Sequence, residues 1–441
     1  MTDSLVTKTT QYKIKDLSIV SKLGKIDITG LFEELDIFDC IFFPSITGKI
    51  VINDTLGLTS KLAFDGSEVL VIHMGKTDED AVFRKSFRIY KQSDRQSLNN
   101  NSERYILHFI SDEYLLSQQN RISQSFVGTY TQMVMNILEN YLGIKSKSLS
   151  VIEDSVGVRK MVVPMKTPFD AIDLCARRAI NINGSPTFLF FENKVGYNFV
   201  TTSSLIKQNA IHTINFEPKN IVQNDTEMMG AMKYEVVSQF DVNKSITDGV
   251  YSGTFIGFDP TTRTIVKQYI NYNELYASNG LANKVPNIGV TENRAGIKST
   301  DMYNSKITVF PCSVFSSKSS YIKENFPEMI NYDDDTYNYV FQREASLRSL
   351  LTQRLKLAMP GNFDLTSGTT ANIIIPNRSE QSPTEDAIDY SLSGKYLIIA
   401  SRQIISYNKH ITVVEVATDS TNRDNYYYST NMQDGAIADY A

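Results

Sequence analysis

Tryptophan is absent from these 441 residues, and histidine occurs only four times, as His73, His108, His212 and His410. None of the four has a second His or a Cys at ligand spacing, so a metal centre or a His-based catalyst fits poorly. Each reads as a structural histidine in or beside a strand. Cys40, Cys175 and Cys312 are odd in number and far apart, with no CxxC pair. They offer no disulfide framework and point to assembly in a reducing compartment. No run approaches the ~18 apolar residues of a membrane span, and the first fifteen residues lack the apolar core of a secretory signal. There is no GxSxG, no Walker loop and no GxGxxG after a strand. A net charge of −5 is mild for this length and argues against a nucleic-acid surface spread over the whole protein.

The remaining clusters carry little chemistry. Asp333-Asp334-Asp335 lacks both EF-hand spacing and a turn glycine, so it reads as a solvated loop. Glu33-Glu34 with Asp36 could in principle pair carboxylates for glycoside cleavage. Nothing apolar and aromatic beside them builds a sugar cleft, and surface charge is the expectation. Gly253 and Gly257 have the spacing of a membrane GxxxG motif but fall in a strand. Arg177-Arg178 and Lys145–Lys147 are too small as basic patches to hold nucleic acid. Phe188–Phe191 reads as a buried strand, whereas Tyr426–Tyr428 is a candidate docking element in a polar tail. No catalytic, cofactor-binding or metal-binding residue is assigned, and no cofactor is expected.

What the chain has instead is strands. Tyr (24) and Phe (23) are abundant and 41% of residues are apolar, a balance that suits a β-rich structural protein. From Gly361 to Asp419 the text predicts strands at 370–375, 395–402 and 410–417, with a polar loop between the first two and a tight turn near Asn408-Lys409. Residues 66–111 repeat that rhythm: a glycine turn, the apolar run 69–74, the strand 83–92, a polar excursion over 93–102, and a strand at 103–111. Identity between the copies is low, so the rhythm hints at a duplicated β module. About six strands are expected before residue 115, among them 46–54, which suggests a small barrel or sandwich.

A helix is expected over 129–142, closed by Gly143. A second begins at the Thr167 cap with Pro168 in its first turn and runs to about Ile180. The hairpin 187–200 follows. Strands resume at His212 and again near 232–240, two strands flank Asp259-Pro260, and a helix is read over 341–357. The resulting fold class is mainly β with some α (β+α). It comprises a first tube-type barrel with an arm (1–118), an α+β domain (119–212), a split second barrel (213–250 and 341–419), an inserted β-rich domain (251–340) and a flexible tail (420–441).

Three passages, IFFPSITGKIVINDTLGL…GSEVLVIHM, TPFDAIDLCARRAININGSPTFLFFENKVGYNFV and PGNFDLTSG…GKYLIIASRQIISYNKHITVVEVATD, together resemble the central baseplate hub of contractile phage tails. The hub part of type VI secretion spike proteins is related. The order of the passages carries the resemblance, since none has a catalytic signature. It implies a virion protein of the tail baseplate, assembled in the host cytoplasm: a homotrimer under the tail tube whose six barrels form a quasi-six-fold ring joined to a three-fold central spike. Tail tube or tube-initiator proteins, the spike, the tape measure protein and baseplate wedge proteins are the implied partners, with DNA passing only transiently. The chain lacks a β-helical repeat, so the spike is expected to be a separate protein. The channel wall is expected to be polar or acidic and drawn from 46–54, 69–74, 370–375 and 395–402. The rival readings are a receptor- or carbohydrate-binding tail protein and a cell-wall hydrolase.

Overall fold

The computed structural model describes residues 12–62, 64–75, 83–99, 102–144, 148–216, 228–259, 263–271, 280–287, 296, 298, 301–311, 336–377, 388–407 and 409–422. Seven strands open the chain: β1 (Lys13–Ser21), β2 (Gly24–Asp27), β3 (Phe32–Cys40), β4 (Thr47–Asp54), β5 (Val69–Gly75), β6 (Phe83–Asn99) and β7 (Ser102–Ile110). A short helix α1 (Leu58–Leu62) lies between β4 and β5. Alternation makes these strands: Ile50 and Ile52 point inward on β4, as do Leu70, Ile72 and Met74 on β5, while Lys49 and His73 alternate with them. Gly48 is required because a Cβ there would overlap the Phe109 ring and the Asp36 carbonyl. The sheet curls enough that Leu17 on β1, Leu35 on β3 and Phe109 on β7 share one buried cluster.

An α/β unit follows, built from α2 (Asp112–Gln119), β8 (Ile122–Gly128), α3 (Tyr130–Leu142), β9 (Leu149–Ile152), β10 (Arg159–Lys166), α4 (Pro168–Ala176), β11 (Phe188–Glu192), β12 (Tyr197–Thr201) and α5 (Thr202–Lys207). Helix α3 begins and ends where the sequence indicates, with a full capping box at Thr129 and a left-handed Gly143. Helix α4 stops at Ala176, four residues short of expectation. The Arg178 and Ala179 amides both turn back to the Cys175 carbonyl, and Asn181 then opens a side-chain-capped turn to Asn183 and Ser185. Phe188–Phe191 is a buried strand, as read.

The second strand set is discontinuous in sequence. It takes β13 (His212–Phe216), β14 (Met228–Ala231) and β15 (Lys233–Ser238) before a segment that carries α6 (Val242–Thr247), β16 (Ser252–Asp259), β17 (Thr264–Asn271), β18 (Val285–Pro286), β19 (Ile307–Pro311) and α7 (Thr336–Leu350). It resumes with β20 (Gln353–Pro360), β21 (Thr370–Ile374), β22 (Gly394–Ser406) and β23 (Lys409–Thr418). Gly253 and Gly257 lie in β16, which β17 and β19 flank in a separate small sheet. The last strand, β24 (Ser420–Thr421), pairs with β18, so these two residues belong to the fold rather than to a flexible tail.

Numbered by chain order within each set, both sets show the same spatial order, 3-4-7-6-5-1-2: β3-β4-β7-β6-β5-β1-β2 and β15-β20-β23-β22-β21-β13-β14. Strand directions agree except at the sixth place, where β1 is antiparallel to β5 but β13 runs parallel to β21. At the fourth place both strands carry a bulge at the same point, between Ile89 and Lys91 on β6 and between Ile398 and Ala400 on β22. Just before it the Ile89 amide donates to Glu68 (3.0 Å) and the Ile398 amide to Thr369 (2.8 Å).

Two expectations need correction. Closed barrels were expected, but among the described residues neither set closes. The outer edge of β3 is occupied by β22, and all fourteen strands form one continuous sheet. The helix read over 341–357 is two elements. Leucine spacing suggests one stripe, yet Gln353, Leu355, Leu357 and Met359 are buried at period two on β20, and strand pairing with β15 and β23 wins beyond Leu350.

Candidate functional site

The residues that hold the two strand sets together form an extended polar site among the described residues. β22 is thirteen residues long, and its two halves have different neighbours on one side. Gly394–Leu397 pairs with β21, whereas Ala400–Ser406 pairs antiparallel with β3, from Ala400 opposite Cys40 to Ser406 opposite Glu34. The Ile41 amide adds a bond to the Ile399 carbonyl at 2.9 Å.

Asp36 sits in this seam with its side chain fully buried. Arg402 reaches it with a two-toothed contact, Nε to Oδ1 at 3.2 Å and Nη2 to Oδ2 at 2.9 Å, and Lys49 Nζ approaches Oδ2 at 3.3 Å. The Arg402 guanidinium also lies 5.4 Å from the centre of the Phe38 ring. Paired forks of this kind fix geometry as well as charge. One turn of pleat away Asp39 accepts from the Ser401 amide (3.2 Å), the Ser367 amide (3.3 Å) and the Thr366 hydroxyl. Burial raises the Asp39 pKa above the ordinary carboxylate range, and those hydrogen bonds only partly oppose the shift.

The α/β unit wedges its hairpin tip into the same seam. Glu192, at the end of β11, accepts from the Ile46 amide (3.0 Å), the Ser111 hydroxyl (2.5 Å) and Lys85 Nζ (2.6 Å), all on the first strand set. The next two residues bind the second set: Asn193 Nδ2 donates to the Ser367 carbonyl (3.1 Å) and Lys194 Nζ to Asp364 (2.6 Å). Beneath them Ile41, Phe191, Val200, Leu205, Leu397 and Ile399 share a buried cluster. Arg343 of α7 ties that helix to the α/β unit by donating to the carbonyls of Ala176 and Pro186. Three parts of the chain thus meet at one buried seam.

Of the clusters singled out in the sequence, Asp36 proves to be the centre of the seam rather than surface charge. Its neighbour Glu33 pairs with Arg104 at 2.7 Å and Glu34 lies 3.9 Å from Arg402. The signal that could have marked Asp36 is its place between the core-facing Leu35 and Ile37, on a strand buried at three residues in succession and therefore covered on both faces. The histidines stay apart. His73 stands opposite Asp16, His108 bonds Ser93 (2.9 Å), His212 lies near Asn362, and His410 bonds Gln403 (2.8 Å). Arg177 pairs with Asp173 on the surface. Lys145–Lys147, Asp333–Asp335 and Tyr426–Tyr428 lie outside the described residues.

No group of three His, Cys, Asp or Glu side chains gathers as a metal site among the described residues. A groove of about 840 Å³ between α4, α7 and the turn after β3 is floored by Phe43, Tyr114 and Phe169 and rimmed by Asp173, Arg177 and Glu344. Glu113 and Glu192, which both approach Tyr197, do not line it. Glu192 is already engaged by Lys85, and burial raises the Glu113 pKa. No helix among the described residues is long and apolar enough to cross a membrane.

Compared by sequence, the chain matches no protein-family model, and no curated protein matches it. Compared by structure, it resembles a tail protein from Neisseria meningitidis MC58, with a TM-score of 0.51 at 11% identity over 93% of this chain and 97% of that one. A 43 kDa tail protein of prophage MuSo2 from Shewanella oneidensis gives 0.48 at 10% identity, over 91% and 97% of the two chains. An Escherichia coli component of the type VI secretion system, itself similar to T4 bacteriophage tail proteins, gives 0.40 at 10% identity, over 93% of this chain and 77% of that one. The fold is shared with the tail protein from Neisseria meningitidis.

Proposed function

We propose that this chain is the hub of a contractile-tail baseplate, a structural homotrimer that joins a six-fold tail tube to a three-fold central spike and leaves a channel for DNA. The observation that carries the proposal is the seam: one polypeptide holds two seven-strand sets of the same order, welded edge to edge through β22 and β3. A protein that must offer six similar units from three chains needs such a pair. On this reading 1–118 and 213–250 with 341–419 are the two tube-type domains, 119–212 is the α+β domain that braces them, 251–340 is an insertion, and 420–441 is a tail whose first two residues are held by β18. The tail tube or its initiator and a central spike are the partners, with tape-measure and baseplate wedge proteins at the periphery, and the setting is the virion.

The channel wall comes from the outward faces of the sheet, mainly over 46–54, 69–74, 370–375 and 395–402, and is polar or acidic. Lys49 and Arg402 lie on such faces, and both are engaged by Asp36, which weakens them as phosphate ligands. On this reading the chain acts without catalysis. Native mass measurement of the purified chain across a concentration series tests the proposal. A species of three chains is expected, and a chain that stays monomeric throughout, or that cleaves peptidoglycan with one carboxylate essential, overturns it.

A further inference from the structure

We infer that copies of this chain join by strand addition, with β15 of one copy docking antiparallel along the distal half of β6 of the next, in the register that β3 and β22 use within the chain. The inference rests on the trimer reading above and adds to it the surfaces, direction and register of the contact. Inside the chain β22 outruns β21: the stretch Ala400–Ser406 would be a bare edge if β3 did not cover it. β6 outruns β5 in the same way. Phe83–Arg88 pairs with β5, but on that side no described strand lies along Lys91–Gln96. The bulge falls at the same place in both, with Tyr90 and Ile399 as the extra residues, and in β22 it is the Ile399 carbonyl that begins the seam.

The matching partner is also on hand. β15 holds the place in the second set that β3 holds in the first, and pairs only with β20 among the described strands. Its outer edge, Glu235–Ser238, carries Val236 and Val237 at 39% and 42% exposure, and Phe240 just beyond is 70% exposed. An apolar open edge is a template for another strand. Each chain therefore has one edge of each kind, and the contact between copies is head to tail. Such contacts form a ring when the rotation closes. If every step repeats the internal one, three chains make six equal steps.

Register transfers through the shared neighbours. Ser93 and Arg402 stand opposite Ile106 of β7 and Val413 of β23, at corresponding places; Gln96 and Ile404 stand opposite Arg104 and Ile411. Asp36 pairs with Lys49 as Glu235 pairs with Lys356, and Phe38 with Thr47 as Ser238 with Arg354. Ser93 of one copy then faces Ser238 of the next, and Gln96 faces Glu235. The contact between copies repeats the acid of the internal seam and the lysine beneath it, but has serine where the seam has Arg402.

The test is the full chain carrying Ser93→Cys and Ser238→Cys together, compared with each single substitution in the same background. Facing residues of an antiparallel pair have Cα atoms about 4.5–5.5 Å apart, within disulfide range. Mild oxidation is expected to give covalent dimers and trimers from the double variant alone. Ser93→Arg is expected to lower the trimer dissociation constant several-fold, and Glu235→Gln to cancel that gain. Hydrogen exchange on the unmodified chain guards against misfolded variants: amides of 91–96 and 235–238 should gain protection on trimer formation. Trimers with no inter-copy disulfide and no protection there overturn this inference and leave the hub reading standing. A chain monomeric at every concentration overturns both.

Discussion

Asp36 is buried where water does not reach, and the rest of the seam is arranged around it. The carboxylate is matched by Arg402 and Lys49, of which Arg402 is about 40% exposed on its side chain. Taking away one partner of a buried pair leaves the other poorly solvated. Arg402→Ala is expected to destabilise the chain by about 2 kcal/mol, discounted from a fully buried pair because the guanidinium is partly hydrated and Lys49 remains. Arg402→Lys should fall between, since it keeps the charge and loses the fork. Urea unfolding at fixed ionic strength measures both. Asp39 behaves differently because burial, rather than a cation, dominates its environment. Its folded pKa is raised above the unfolded value, so its contribution is fullest below the ordinary carboxylate range and is lost as pH rises through the folded pKa. Asp39→Asn retains an acceptor for the Ser401 and Ser367 amides without the buried charge. The variant should match or exceed the parent in stability at neutral pH, and the difference should close as pH falls towards about 4. Paired thermal melts across that range would show it.

Local chemistry decided how well each element could be read in advance. Helix α3 was legible because its start and stop are spelled in adjacent residues: Thr129 Oγ1 accepts from the Gln132 amide at 3.2 Å and Gln132 Oε1 accepts from the Thr129 amide at 3.0 Å. Thr129→Ala is accordingly expected to cost about 1 kcal/mol, read from the midpoint of chemical unfolding. The distal half of β6 was not legible. Ser93–Asn99 is polar and reads as a loop, yet it continues the strand because β7 supplies a backbone partner, which polar side chains do not forbid. The same blindness split the helix read over 341–357. Leucines at 347, 350, 351 and 355 satisfy a helical stripe, but Leu355 also fits the two-residue period of β20 and takes its burial there. Where two periods fit the same residues, a partner strand elsewhere in the chain chooses between them.

At the scale of the whole molecule the duplicated strand rhythm was readable, because glycine turns and apolar runs recur with similar spacing at 66–111 and 361–419. Closure was not. Whether a curled sheet meets its own far edge or lends that edge to a neighbour depends on contacts no local pattern encodes, and Asp36 finds Arg402 across 366 residues of sequence. The seam also fixes how the two strand sets sit, since a shared strand leaves no hinge between them. Its remaining consequence is temporal. β3 is made within the first 40 residues, but the strand that covers its edge spans 394–406. At roughly 5–20 residues per second of synthesis, that edge waits on the order of 20–70 s for its partner. Contacts of such long sequence separation form late and slowly. During that interval the nascent first sheet exposes a backbone edge already suited to another copy's strand, so crowded synthesis should favour swapped pairings unless the edge is held until the last quarter of the chain arrives.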